Sequence, residues 1–258
     1  FPLKQGPLRQ LVLRVALHGE DAPAGLRYEL WPEIDGYHMF YPRWVTKGSL
    51  KDTPYLVMEY VEGKSLHEYA ERAPLPAEEA AHLVAALATA VHDLHRQEVI
   101  HLDIKPANVL YRPDGRAVLV DFGLARHGHF PDLVEEEFHK PVGTAAYISP
   151  EQVKGNRDNP RSDLFAIGVI LYQLCTGQLP FGEPTTLGGF RRRLFFDPVP
   201  PRVWAPGLPE WMQEIILHCL EIEAGKRYAT AAKIAFDLTH PDDVPLSGRA
   251  ARLKRAWL

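Results

Sequence analysis

His101-Leu102-Asp103-Ile104-Lys105-Pro106-Ala107-Asn108 is followed in this chain by Val109-Leu110-Tyr111, then Arg112-Pro113-Asp114-Gly115-Arg116, Ala117-Val118-Leu119-Val120 and Asp121-Phe122-Gly123. Residues 108–111 and 117–120 read as short strands. Pro113-Asp114-Gly115 between them reads as a turn, and Asp-Gly is a strong hairpin signal. A hairpin brings its own ends together, so Asp103, Lys105 and Asn108 gather with Asp121 around one point. Two carboxylates, an amide and an ammonium there can bind a divalent cation and a phosphate. Magnesium takes hard oxygen donors, commonly one or two carboxylates beside phosphate oxygens, which makes Asn108 and Asp121 its candidate ligands. Asp103 is then free to accept a hydroxyl proton, and Lys105 to neutralise charge on a phosphoryl group in flight. Phosphoryl transfer needs mainly such positioning and electrostatics.

Upstream, residues 11–17, 44–46 and 55–61 have the apolar, β-branched character of strands. Residues 24–34 read as a short helix with Pro32 breaking or distorting its end. Gly63 turns the chain. Residues 77–97 are Ala-rich, with Leu83, Ala86, Leu87, Ala90, Val91 and Leu94 at helical spacing. Pro76 suits a first turn, and Glu78 and Glu79 suit the positive end of the helix dipole. A second buried helix is predicted over residues 163–175, stopped by Gly177 and Pro180, with shorter helices after it. Strands first and helices afterwards predict an α+β chain.

The chain has 258 residues, 46% of them apolar, 24% charged and 10% aromatic, which is a globular composition rather than a disordered or fibrous one. A net charge of −4 gives no global basic field for nucleic acid or acidic lipid. No apolar run approaches the ~20 residues of a membrane span, and no signal peptide is visible. Cys175 and Cys219 both lie in apolar, helix-like stretches and read as buried free thiols, which suits a reducing, cytoplasmic compartment. The chain starts at Phe1 and ends abruptly at Trp257-Leu258, as expected of a fragment or a processed chain.

Residues 101–108 resemble the catalytic loop of protein kinases, and Asp121-Phe122-Gly123 their magnesium-binding motif. Residues 143–151, Gly-Thr-Ala-Ala-Tyr-Ile-Ser-Pro-Glu, resemble the end of the activation segment, with Ser149 where Ala is commoner. Residues 163–168 resemble the central helix whose Asp163 buttresses the catalytic loop. Lys226-Arg227-Tyr228 is similar to the late motif whose arginine pairs with the glutamate here at Glu151. Met58-Glu59-Tyr60-Val61 is similar to the hinge, where backbone at Glu59 and Val61 would hold adenine, with Leu110 beneath the ring. The resemblance covers about residues 55–240, in the right order. It implies a bilobal fold with a small β-rich N-lobe and a larger helical C-lobe. Residues 1–61 would be N-lobe and hinge, 62–240 the catalytic C-lobe, and 241–258 a basic tail packing on the domain or leading into a further one. It also implies ATP and Mg2+ as cofactors and a protein substrate. Lys105 and Thr144 resemble the serine/threonine branch. Ala107 stands where kinases selecting basic residues often carry an acid.

The sequence departs from the family in three places. Leu102 replaces the arginine that usually precedes the catalytic aspartate, the non-Arg-Asp pattern. Residues 124–142 contain no Ser, Thr or Tyr, so a phosphate-binding arginine has nothing to bind. The N-lobe is atypical or truncated: no glycine-rich loop precedes the first strand, and Arg14 stands where a phosphate-gripping lysine is expected, with Glu29 as its helix partner. Arg and Lys are not interchangeable there. Those departures keep a second reading open, a catalytically weak or inactive pseudokinase acting as a scaffold or nucleotide-sensing module. A third is a kinase-like small-molecule phosphotransferase, against which the 149–151 motif and Arg227 argue. His101 reads as structural, packed beneath Phe122. The other histidines and Glu135-Glu136-Glu137 read as solvated, Arg191-Arg192-Arg193 as surface, and residues 246–258 as an amphipathic helix.

Overall fold

The computed structural model describes the backbone of residues 13–15, 44–50 and 53–58. With side chains it describes residues 61–129, 132, 143–184 and 186–253, Leu187 by its backbone alone. The first element is a three-stranded antiparallel sheet of β1 (Leu13–Val15), β2 (Trp44–Leu50) and β3 (Thr53–Met58), in the order β1-β3-β2. Leu13 pairs with Val57 and Leu50 with Thr53, and the register shifts between Trp44 and Thr46. The strand expected over 11–17 is described only at its centre. The one expected over 44–46 runs on to Leu50. Arg14 lies in β1 opposite Leu56. The expected helix over 24–34, with Glu29, and the hinge residue Glu59 lie outside the described residues.

A second sheet carries the chemistry. It joins β4 (Lys64–Ser65) to the hairpin of β6 (Val109–Tyr111) and β7 (Ala117–Leu119), in the order β4-β6-β7. Gly63 is required at its edge: with φ +152°, a side chain there would drive a Cβ to 1.8 Å from the carbonyl oxygen of Tyr111. Ser65 caps α1 (Leu66–Ala70) through a reciprocal bond with Glu68. A two-stranded ribbon pairs β5 (Val99–Ile100) with β8 (Arg126–His127).

Everything else hangs on two long helices. The first, α2 (Ala77–Arg96), is 20 residues long and agrees with the expected 77–97, because Gln97 is its cap. Acids in its first turn and bases in its last match its dipole. Leu83, Val84, Leu87, Val91 and Leu94 line its buried side. After α3 (Pro150–Val153), the second long helix, α4 (Arg161–Thr176), begins two residues before the expected start, where Asn159 accepts the amide of Arg161 at 3.0 Å. Gly177 ends it at φ +68°. It is buried almost all round, so it reads as apolar with little polar relief. Short helices follow: α5 (Leu187–Arg191), α6 (Pro201–Trp204), α7 (Glu210–Cys219), α8 (Ala231–Thr239) and α9 (Arg249–Arg252). The core lies where α2 meets α4, α8 and β7, and where α4 meets α7. The architecture is thus α+β, a small sheet region and a larger helical part, as expected.

Two surface expectations are corrected. Arg191 is exposed and Arg192 half-buried, but Arg193 has no exposed surface. The tail does not form one amphipathic helix over its described part. It is pinned by charge instead: Arg249 reaches Glu221 at 2.6 Å, and its amide and the Ser247 hydroxyl both donate to Glu214 at 2.8 Å.

Candidate active site

The loop between β5 and β6 is held from below by one carboxylate. Asp163, in the first turn of α4, accepts the amide of His101 at 2.9 Å on one oxygen and the amide of Leu102 at 2.9 Å on the other. His95 adds a bond to Asp163 at 2.8 Å. Burial opposes the charge on Asp163, but these donors outweigh it and hold the carboxyl below its ordinary value. The grip fixes an unusual backbone: Leu102 has φ +61°, a left-handed conformation that costs a non-glycine residue on the order of 1–2 kcal/mol. Its carbonyl is held in turn by the Gln152 side-chain amide at 2.9 Å. Leu102 itself is buried, an apolar packing residue where the family carries an arginine.

His101 completes the floor. It is fully buried, and burial pushes its pKa down, so the ring is neutral. Nδ1 accepts the Asp103 amide at 3.4 Å, which leaves Nε2 to donate to the Val120 carbonyl at 3.2 Å. Its ring lies 4.8 Å from that of Phe122. The packing expected of His101 and Phe122 is present, and the histidine ties the loop to the far end of the hairpin.

Asp103 then stands at the rim, 9% exposed. Its Oδ2 accepts Lys105 Nζ at 2.7 Å and the Asn108 amide at 3.2 Å. Its Oδ1 accepts both the hydroxyl of Thr144, at 2.7 Å, and the Thr144 amide, at 3.0 Å. Lys105 also donates to the Thr144 hydroxyl at 2.9 Å, so the three side chains form a closed ring. Asn108 donates a second bond to the Asp103 carbonyl at 3.0 Å. Its nitrogen is therefore committed to the loop, and its oxygen points the other way. The hairpin register sets Val109 opposite Leu119, with Val120 donating to the Asn108 carbonyl at 3.0 Å. Asp121 follows directly, at φ +66°, a conformation that aspartate tolerates better than most residues. Leu110 is half-buried in β6 between Ser65 and Val118, and Val61 is buried. Met58 is the last residue of β3.

The structure therefore brings Asp103, Lys105 and Asn108 together, with Asp121 two residues beyond the end of β7. Of the other expected site residues, the side chains of Arg14 and Met58, and all of Glu29 and Glu59, are not described. Thr144, expected as a marker of substrate class, is in addition a direct partner of Asp103. The solvated reading of the histidines is corrected at His95, which is half-buried and bonded to Asp163, and nothing in the sequence around Gln152 marks it.

Further out, Arg227 forms a bidentate pair with Glu151 at 2.6 and 2.8 Å. Burial works against the Glu151 charge, but Arg227 and the Ser162 hydroxyl hold its carboxyl below the ordinary value. In the segment after the hairpin, Arg157 reaches the Asp132 carboxylate at 2.7 Å and the Leu124 carbonyl at 2.7 Å, and Arg126 pairs with Asp158. A resident carboxylate thus engages arginine in a stretch that lacks any phosphate acceptor.

The protein kinase domain model matches residues 36–237 of this chain. A probable serine/threonine-protein kinase of Clostridium perfringens is 33% identical over 192 residues, 74% of this chain and 28% of that protein. Serine/threonine-protein kinase PknB of Mycobacterium leprae is 33% identical over 186 residues, 72% of this chain and 30% of its own length. Serine/threonine-protein kinase PrkC of Bacillus subtilis is 31% identical over 192 residues, 74% and 29% respectively. The chain spans less than a third of the length of these curated relatives.

Proposed function

We propose that this chain, which belongs to the protein kinase family, transfers the γ-phosphoryl group of ATP to serine or threonine hydroxyls of protein substrates. The observation that carries the reading is the Asp103 carboxylate ringed by Lys105, Asn108 and Thr144. In this reading Asp103 accepts the proton of the attacking hydroxyl. Lys105 has three donors and spends two of them on Asp103 and Thr144, which leaves the third for the phosphoryl group.

The donor set fits magnesium. Asp121 contributes a carboxylate, and Asn108 has its nitrogen turned to Asp103 and its oxygen free to ligate a hard cation. Bound there, the ion would supply charge neutralisation on the phosphates. Adenine contacts at Glu59 and Val61 with Leu110 beneath the ring, a phosphate contact from Arg14 paired to Glu29, and Met58 in the hinge belong to the same proposal. So do the division into residues 1–61, 62–240 and 241–258 and a further domain beyond the tail. No described helix is long and apolar enough to cross a membrane. Cys175 and Cys219 are buried free thiols, the first pushed up to about 12 by burial, which suits a cytoplasmic protein. A net charge of −4 suits a protein partner better than nucleic acid.

The test is transfer from labelled ATP with magnesium to a generic Ser/Thr protein substrate. The wild-type chain should transfer, and Asp103→Ala should abolish it. A wild type that transfers nothing, yet shows a magnesium-dependent thermal shift with ATP, would move the assignment to a nucleotide-sensing pseudokinase. That alternative rests on Arg14 and the absent glycine-rich loop, and the relatives' names do not favour it.

A further inference from the structure

Arg193 sits in the turn Arg192–Leu194, just after α5, with none of its surface exposed. Its guanidinium spreads over one stretch of backbone. Nη2 donates to the Ala145 carbonyl at 2.8 Å, and Nη1 to the Ala146 carbonyl at 3.3 Å and to the carbonyl of Ile148. The Phe181 ring covers one face, its centroid 5.5 Å away. No carboxylate pairs with it among the described residues, and Nε has no hydrogen-bond partner. Burial pushes its pKa down only to about 10, so the charge persists at neutral pH. A buried charge with no counter-ion is costly, and an apolar side chain of similar length would fill the space without that cost. What an apolar side chain could not do is gather three carbonyls.

Those carbonyls belong to the wall of the site. The segment leaves Thr144, whose amide and hydroxyl hold Asp103, and ends at Ser149, which caps α3. Between these anchors Ala145 and Ala146 are half-buried, with their carbonyls drawn towards Arg193. A polypeptide that presents a hydroxyl to Asp103 must run past this stretch. We propose that Arg193 is a positioning residue for the polypeptide substrate: it shapes the 145–148 backbone into the seat for the residues flanking the phosphorylated hydroxyl. The proposal rests on the transfer reading above.

Two variants test it. Arg193→Met keeps the volume and removes the charge. Arg193→Lys keeps the charge, but a single ammonium cannot span three carbonyls. In both, amide exchange over residues 144–149 should quicken about tenfold or more while α2 exchanges as in the wild type. The KM for a Ser/Thr peptide should rise by about tenfold or more, with the KM for ATP within about twofold, because misplacement acts on one substrate only. A folded variant with unchanged exchange over 144–149, or with the wild-type peptide KM, overturns the proposal. So does a rise in ATP KM parallel to that for peptide, since that marks general damage. If the wild-type chain transfers nothing, the transfer reading is what fails. Exchange then decides Arg193 alone: loosening confined to 144–149 supports its grip, and unchanged exchange removes it.

Discussion

Replacing Asp163 with asparagine changes one atom and removes one charge, and the structure says what that costs. Asp163 accepts two successive backbone amides on its two oxygens, with His95 on one of them. An asparagine has a single oxygen. In its better orientation that oxygen keeps His101 and His95, while the new NH2 faces the amide of Leu102, donor against donor. One buried amide is left without an acceptor, at about 1–3 kcal/mol, and the two surviving bonds lose their charge assistance, at about 1 kcal/mol each. The sum is on the order of 3–5 kcal/mol, within the 5–15 kcal/mol that a domain typically has, so the variant should still fold. In urea, the midpoint should fall by on the order of 1 M or more. The function should suffer more than the fold. Without its bond to Asp163, Leu102 loses one of the two bonds that hold it at φ +61°, keeping that of its carbonyl to Gln152, and Asp103 is its direct neighbour. A displacement of about 1 Å can cost about a hundredfold in rate. Transfer to a peptide, measured where circular dichroism shows the variant folded, should fall by that order. The control is Gly168→Ala on the opposite side of α4. A Cβ there would lie 2.5 Å from the Cβ of Cys219, overpacking the α4–α7 contact at about 1–3 kcal/mol without touching the loop. It should lower the urea midpoint and leave kcat within about twofold. An Asp163→Asn protein with wild-type midpoint and turnover would refute the reasoning, as would a Gly168→Ala protein that loses kcat equally.

Other outcomes follow from the same geometry. Phosphate mapping after incubation with ATP should find no activating site in residues 124–142, and an activating phosphate there would show that Asp132 and its arginine partner do not suffice. Thr144→Ser keeps the hydroxyl between Lys105 and Asp103 and should retain most peptide phosphorylation, whereas Thr144→Val removes both side-chain bonds and should lose on the order of tenfold or more. Stability should also fall with pH in a defined window. Burial, then the charge of Arg249, pushes His218 down to about 4, and burial lowers His101. A base whose folded pKa lies below its unfolded value, about 6.5, takes up a proton on unfolding, so stability is full above that value and is lost as pH falls towards the folded pKa. The depressed carboxyls of Asp163 and Glu151 act in the opposite charge sense, losing their contribution only below about 4. Melting temperatures between pH 7 and 4.5 should therefore drop in the wild type and drop less steeply in His218→Gln; equal slopes would remove His218 as a cause.

Much of the centre was legible because its partners are near in sequence or bound by regular periods. The turn Pro113-Asp114-Gly115, closed by the Arg112 amide on the Arg116 carbonyl and with Gly115 at φ +84°, sets Val109 opposite Leu119 and so brings Asn108 towards Asp121. Asp103, Lys105 and Asn108 lie within six residues of one another, and a single tight turn unites them. The long helices declared themselves by apolar spacing, and α2 also by charges matched to its dipole; α2 stops one residue early at its cap Gln97, while α4 starts two residues early after Pro160 and runs one residue further, to the Gly177 cap. Leu102 was visible as a departure, though not the left-handed backbone it adopts. Hydrophobic periodicity reports which face of an element is buried and says nothing of which distant side chain that face will meet.

The sequence by itself determined the hairpin, the acids and amide at its two ends, the α+β order of elements, and a segment without a phosphate acceptor. Only the tertiary structure decided who holds these groups in place. Thr144 reaches Lys105 across 39 residues, Gln152 reaches Leu102 across 50, and His95 reaches Asp163 across 68. Arg193, one of three consecutive arginines that resemble surface residues, is buried under the 145–148 backbone. Such contacts join positions with no fixed spacing. They exist because helices packed around a common core bring their ends to one place, and that convergence is a property of the packing, not of any local stretch of chain.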